Sequence, residues 1–221
     1  MERLDKLLAA TGQWSRKEAK ALVKAGRVQV GGARPKGPED KVAEGTPVTV
    51  DGRPIATEQG VYVMLHKPAG VVSSTQDPRE RTVLDLLPQH LRRRALFPVG
   101  RLDKDTEGLL LLTNDGPLAH ALLAPGRHVD KVYYVEVDGR LDQQDRRAFQ
   151  PADLTVLDPP SQGLVTLREG KYHQVKRMLA ARGKPVTYLK RLSMGPLTLD
   201  PALPAGAWRP LTPEEKASLG R

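Results

Sequence analysis

Short apolar runs separated by glycine- and proline-rich turns recur along the chain, and the longest unbroken one is Leu109-Leu110-Leu111-Leu112. It sits between Gly108 and the turn residues Thr113-Asn114-Asp115-Gly116. Such a run predicts a buried strand, although periodicity alone does not separate it from a buried helical turn. Runs over 61–65, 132–137, 164–167 and 186–189 predict further strands. Helices are expected over 117–123, where a proline occupies the first turn, and from Tyr172 or His173 to Ala181. A last helix is expected after Thr212-Pro213-Glu214-Glu215, which has the spacing of a capping box. Several strands with few long helices give an α+β class built on a mixed sheet.

The first 58 residues follow a different pattern. Leu4, Leu7 and Leu8 lie on one helical face, and Ser15 opens a second helix with Glu18 three residues on, again a capping box. Gly26 stands where a C-terminal cap is expected. On that second helix Arg16, Lys20 and Lys24 recur every fourth residue, and Arg27 follows in the next loop. Like charges so spaced repel one another, and a bound phosphate backbone would relieve the repulsion. Two short strands, over 27–30 and 47–50, complete a minimal core. The polar stretch 51–60 reads as a linker, which divides the chain into modules 1–58 and 59–221.

Composition narrows the partners. The 221 residues carry 35 Lys+Arg against 26 Asp+Glu, a formal charge of +9. A surplus of this size suits a polyanion, above all nucleic acid, although a merely solvated surface would show it too. Cysteine is absent, which removes disulfides, thiolate nucleophiles and cysteine-based metal sites and agrees with a cytoplasmic location. Met1 to Lys6 lacks a basic-then-apolar signal pattern, and no apolar run reaches membrane-spanning length. Aromatics make up only 4%, so extensive base-stacking platforms are not expected. Monomer is the default oligomeric state.

Candidate chemistry concentrates in the polar loop Gly100-Arg101-Leu102-Asp103-Lys104-Asp105-Thr106-Glu107-Gly108, which runs straight into the leucines. A carboxylate anchored beside a core strand is well placed for catalysis. Arg101 next to Asp103 would favour its ionised form, able to act as nucleophile or base. The residues alone equally allow a surface ion pair, or a two-carboxylate hydrolase that also uses Asp105. By default Tyr133 is a core aromatic, Lys176 and Arg177 are a solvated pair, and His173 is structural or a phosphate contact.

The loop and its leucines resemble the signature of the RsuA-type family of RNA pseudouridine synthases. His66-Lys67-Pro68-Ala69-Gly70, Lys131-Val132-Tyr133 and Glu169-Gly170-Lys171-Tyr172-His173-Gln174-Val175-Lys176-Arg177-Met178 resemble three further family segments in the expected order. The last has the form typical of small-subunit ribosomal RNA enzymes. One departure is His66, where relatives often carry asparagine. The opening module resembles the S4 RNA-binding domain through Arg3-Leu4-Asp5, Ser15-Arg16 and Gly26-Arg27-Val28-Gln29-Val30-Gly31-Gly32.

The resemblance implies a small S4-like module followed by a mainly antiparallel catalytic sheet with a central cleft. It implies an isomerase that turns one uridine of ribosomal RNA, expected in the small subunit, into pseudouridine. No cofactor and no metal are expected, because the rearrangement is redox-neutral and loses no atoms. Asp103 would be the essential carboxylate, by attack on the anomeric carbon or by removal of the 2′ proton. Arg101 would hold the everted nucleotide, Tyr133 would stack on the uracil, and Lys176 would pair with Asp103. Arg16, Lys20, Lys24, Arg27, Lys67, His173 and Arg177 are the expected RNA contacts. Arg92-Arg93-Arg94 and a cluster from Arg168 to Arg191 are expected to add a second cationic surface beside the cleft. The competing readings are a non-catalytic RNA-binding assembly factor and a base-excising hydrolase.

Overall fold

Ser15 fixes where the second helix starts: its hydroxyl accepts from the Glu18 amide while the Glu18 carboxylate accepts from the Ser15 amide, closing the expected capping box. A computed structural model describes residues 1–43, 45–55, 60–127, 129–149 and 152–220. They form two units, Met1–Val61 with Leu87–Leu96, and Tyr62–Leu86 with Phe97–Arg221. The expected boundary at 58/59 lies outside the described residues. The segment Leu87–Leu96 joins the first unit, carrying Arg92-Arg93-Arg94 with it rather than adding them to the cleft-bearing unit.

In the first unit, β1 (Glu2–Arg3), α1 (Leu4–Ala10), α2 (Arg16–Lys24), β2 (Val28–Val30), β3 (Lys41–Val42), β4 (Val48–Val50), β5 (Arg53–Ile55) and α3 (Gln89–Arg92) follow in chain order. Strands β2, β4 and β5 form one antiparallel sheet and β1 pairs with β3. Leu4, Leu8, Ala19, Val23, Val28, Val48 and Val50 fill the core, as the helical spacing requires. The strand Arg53–Ile55 replaces part of the expected linker. Asp51 and Gly52 both adopt positive φ, 52° and 74°, and Val50 faces Arg53 in register, so Asp-Gly makes a two-residue hairpin turn. In the first turn of α1, Asp5 is fully buried, gripped by Arg3 at 3.0 Å and Arg16 at 3.2 Å, with the Lys20 ammonium 3.9 Å away.

The second unit holds β6 (Tyr62–Lys67), β7 (Phe97–Pro98), β8 (Glu107–Thr113), α4 (Gly116–Leu123), β9 (Lys131–Val137), α5 (Gln143–Ala148), β10 (Asp153–Val156), β11 (Gln162–Leu167), α6 (Gln174–Ala180), β12 (Val186–Met194), β13 (Leu197–Thr198), β14 (Trp208–Pro210) and α7 (Pro213–Leu219). The main sheet runs β10-β11-β9-β12-β8-β6-β14 and is antiparallel except where β12 meets β8. Leu109 to Leu112 are completely buried in β8, which settles the strand reading against the helical turn. Asp115 caps α4 by accepting from Leu118 N, with Pro117 in the first turn, and Thr212 with Glu215 closes the capping box of α7. Among the described residues, no helix is long and apolar enough to cross a membrane.

Candidate active site

The loop before β8 is held by the segment that follows β6. Ser73 Oγ donates to Leu102 O at 2.9 Å and accepts from Leu102 N at 3.1 Å. Gly70 N donates to Lys104 O at 2.8 Å. Lys67 is 0% exposed, and its ammonium donates to Pro68 O, Lys104 O and Thr106 O at 3.0, 3.2 and 2.8 Å. Lys67 therefore does not reach RNA as expected: its three donors are spent on backbone carbonyls beneath the loop. Burial pushes its pKa down to about 8, against the attraction of Asp105, Asp103 and Glu107.

Above this cradle Asp103 faces α6. Lys176 Nζ lies 3.1 Å from Asp103 Oδ2 and 2.5 Å from Asp105 Oδ1, and His173 Nε2 lies 3.3 Å from Asp103 Oδ1. Burial works against the Lys176 charge, but hydrogen bonds to Asp105 and Asp103 outweigh it and hold its pKa above the ordinary lysine value. The same ammonium keeps the Asp105 carboxyl below its ordinary range. The expected Lys176–Asp103 pair thus forms, joined by two groups read otherwise from the sequence. Asp105 shares the lysine, and His173 sits on the carboxylate rather than standing free for RNA. Arg101 does not supply the countercharge; it is exposed and lines the cleft. No sequence signal marked Ser73, whose role comes from the fold alone.

An open cleft of about 70 Å³ lies over this cluster. Arg101, Asp103, Tyr133, His173 and Lys176 line it together with Leu102, Leu167, Val175 and Leu189. Tyr133 comes from β9 and the Asp103 loop leads into the start of β8, on either side of β12, where Arg191 faces both Tyr133 and Gly108. Tyr133 is 9% exposed. The arrangement offers a carboxylate with a fixed cation, one aromatic wall and apolar sides, suited to a flat polar ring attached to a sugar. Among the described residues no group of three or more His, Cys, Asp or Glu is placed to hold a metal ion.

The outlying cations are less available than their number suggests. Arg191 is buried, donating through Nε to Leu109 O, and Arg182 and Lys184 clamp the fully buried Asp145. Arg168 pairs with Asp130 and Lys171 with Glu169. Arg177 stays exposed on α6. In the first unit Arg16 and Lys20 share Asp5, Arg27 pairs with Asp51, and Lys24 is exposed.

The family model of RNA pseudouridylate synthases matches residues 61–181, and that of the S4 domain matches residues 2–48. A Bacillus subtilis RNA pseudouridine synthase is 48% identical, with 96% of both chains covered. Ribosomal small subunit pseudouridine synthase A of Pseudomonas aeruginosa is 43% identical over 98% of this chain and 100% of its own. A pseudouridylate synthase crystal structure superposes with a TM-score of 0.69 at 32% identity, covering 99% of this chain and 100% of that one. With its motif loop, its sheet and its leading S4 domain all accounted for, the chain belongs to the RNA pseudouridine synthase family.

Proposed function

We propose that this enzyme isomerises one uridine of small-subunit ribosomal RNA to pseudouridine, as a cytoplasmic monomer without a cofactor. The observation that carries the reading is Asp103 on the cleft wall, its two oxygens held by Lys176 and His173, in one cleft with Tyr133 and Arg101. The full-length likeness to relatives named for the small subunit supports the substrate class.

The reacting atoms of a paired uridine are inaccessible, so the nucleotide must leave its stack. Arg101, exposed at the rim, is the residue placed to hold its phosphate or take its position in the helix. Tyr133 then lies against the uracil. Breaking the N1–C1′ bond builds positive character on the sugar, which a fixed carboxylate stabilises. Asp103 either bonds to C1′ or takes the 2′ proton, and in both routes the Lys176 ammonium lies 3.1 Å from its Oδ2. The freed uracil turns and C5 bonds to C1′ as the Asp103–C1′ bond breaks or, in the other route, as Asp103 returns the proton to C2′. The C5 proton is then lost and N1 is protonated, so atoms balance with no redox step. Arg16, Lys20, Lys24 and Arg27 on the S4 domain, with Arg177 on α6, hold the RNA backbone, while Lys67 supports the loop from below. Mapping pseudouridine in small-subunit ribosomal RNA from cells with and without the protein tests this: one position should lose its modification, and an unchanged map would reject the reading.

A further inference from the structure

Among the described residues, the large hydrophobic side chains left exposed are Met1, Leu123 and Tyr172, and Tyr172 is 76% exposed. Tyr62, Tyr134 and Tyr188 each donate their hydroxyl to a carboxylate, whereas the Tyr172 hydroxyl has no partner among the described residues. Its ring instead lies flat on the His173 ring, centroids 3.8 Å apart and planes 17° from parallel. One face is occupied and the other is bare.

The loop is built to present the ring this way. Gln174 accepts from Lys171 N at 3.1 Å and donates to Glu169 at 2.5 Å, pinning both sides of the turn. His173 adopts φ +48°, a left-handed conformation that few non-glycine residues take. The same imidazole contacts Asp103 Oδ1 at 3.3 Å, so it bridges the Tyr172 ring and the reacting carboxylate.

We propose that the outer face of Tyr172 is a stacking subsite for an unpaired nucleobase neighbouring the target uridine. The inference rests on the reading of the protein as an RNA-modifying enzyme. When a uridine is everted, its neighbour loses a stacking partner, and an aromatic face beside the cleft replaces it. Stacking is tolerant of base identity, so the subsite contributes affinity and placement rather than sequence choice.

Filter binding of a small-subunit ribosomal RNA transcript, in an Asp103→Asn background that prevents turnover, tests the subsite. Tyr172→Ala should weaken binding by about tenfold, and Tyr172→Phe, which keeps the ring, should bind within about twofold of the parent. In the active background the Tyr172→Ala loss should fall on KM rather than kcat. Equal affinity for the alanine variant, or an equal loss in the phenylalanine variant, would overturn the proposal. Wild-type protein that makes no pseudouridine while Tyr172→Ala still loses affinity would reject the enzymatic reading and leave the subsite standing. Wild-type protein that does not bind the transcript would reject both.

Discussion

Gly108 of β8 stands so close to Arg191 of β12 that a Cβ at position 108 would lie 2.2 Å from the Arg191 carbonyl oxygen and 2.6 Å from its amide nitrogen. Its φ of +107° is also one that side chains avoid. This glycine joins the Asp103 loop to the centre of the sheet, and the parallel β8–β12 pairing depends on it. Gly108→Ala should cost at least about 3 kcal/mol, from overpacking and backbone strain together. Thermal unfolding of the purified variant checks this; a melting temperature equal to that of the wild type would contradict the packing described.

Lys67 links the fold to pH. Its pKa is pushed to about 8 by burial, below the ordinary 10.5, so between these values the unfolded chain binds more protons than the folded one. The contribution of this group therefore makes stability rise with pH across that window, by about 2 kcal/mol from pH 8 to 10, and is flat below it. Lys67→Met should remove that slope and also cost about 2–3 kcal/mol near neutrality, because it leaves carbonyls of the Asp103 loop unpaired. Denaturant titrations of both proteins from pH 7 to 10 measure the difference. A wild-type-minus-variant difference that does not change with pH would contradict the burial effect.

Lys176 bridges Asp103 and Asp105 from α6. Lys176→Met should lower kcat for pseudouridine formation by about a hundredfold, the scale of losing one preorganised electrostatic partner. Its partners are partly exposed, so folding stability should change by less than about 1 kcal/mol. Steady-state rates beside circular dichroism melts separate the two effects. A rate loss matched by a large loss of stability would make the lysine structural.

On the S4 domain, Arg16 and Lys24 are expected phosphate contacts. Replacing both by Gln should weaken binding of ribosomal RNA and flatten its dependence of log affinity on log salt by about one unit per contact. Equilibrium binding between 50 and 200 mM salt, roughly the range in which such slopes are resolved, reads this out. An unchanged slope would place the RNA elsewhere.

Much of this architecture was legible because local chemistry agrees with the final fold. The leucine run, the boxes at Ser15 and Thr212, and the proline in the first turn of α4 each act over a few residues, and the structure keeps them. The hairpin at Asp51-Gly52 was equally local, but the polar composition around it suggested a linker. At the site, the loop carrying Asp103 was readable, whereas its partners were not fixed by sequence distance. Arg101 is two residues away yet lines the cleft, while Lys176 is 73 positions on and makes the pair. Lys67 misled because nothing in its motif separates a lysine that meets RNA from one buried under a loop, and only the tertiary fold shows it sealed there. His173 carried no signal for its contact with Asp103, which depends on how the turn before α6 is folded.

Purified wild-type protein and Asp103→Asn, each incubated with a small-subunit ribosomal RNA transcript and assayed for pseudouridine, test the central claim most directly. The amide is nearly the same size and leaves the cleft intact, but it carries no negative charge to meet the sugar. The account predicts stoichiometric conversion of one uridine by the wild type and none detectable with the variant. Equal conversion by both would contradict it.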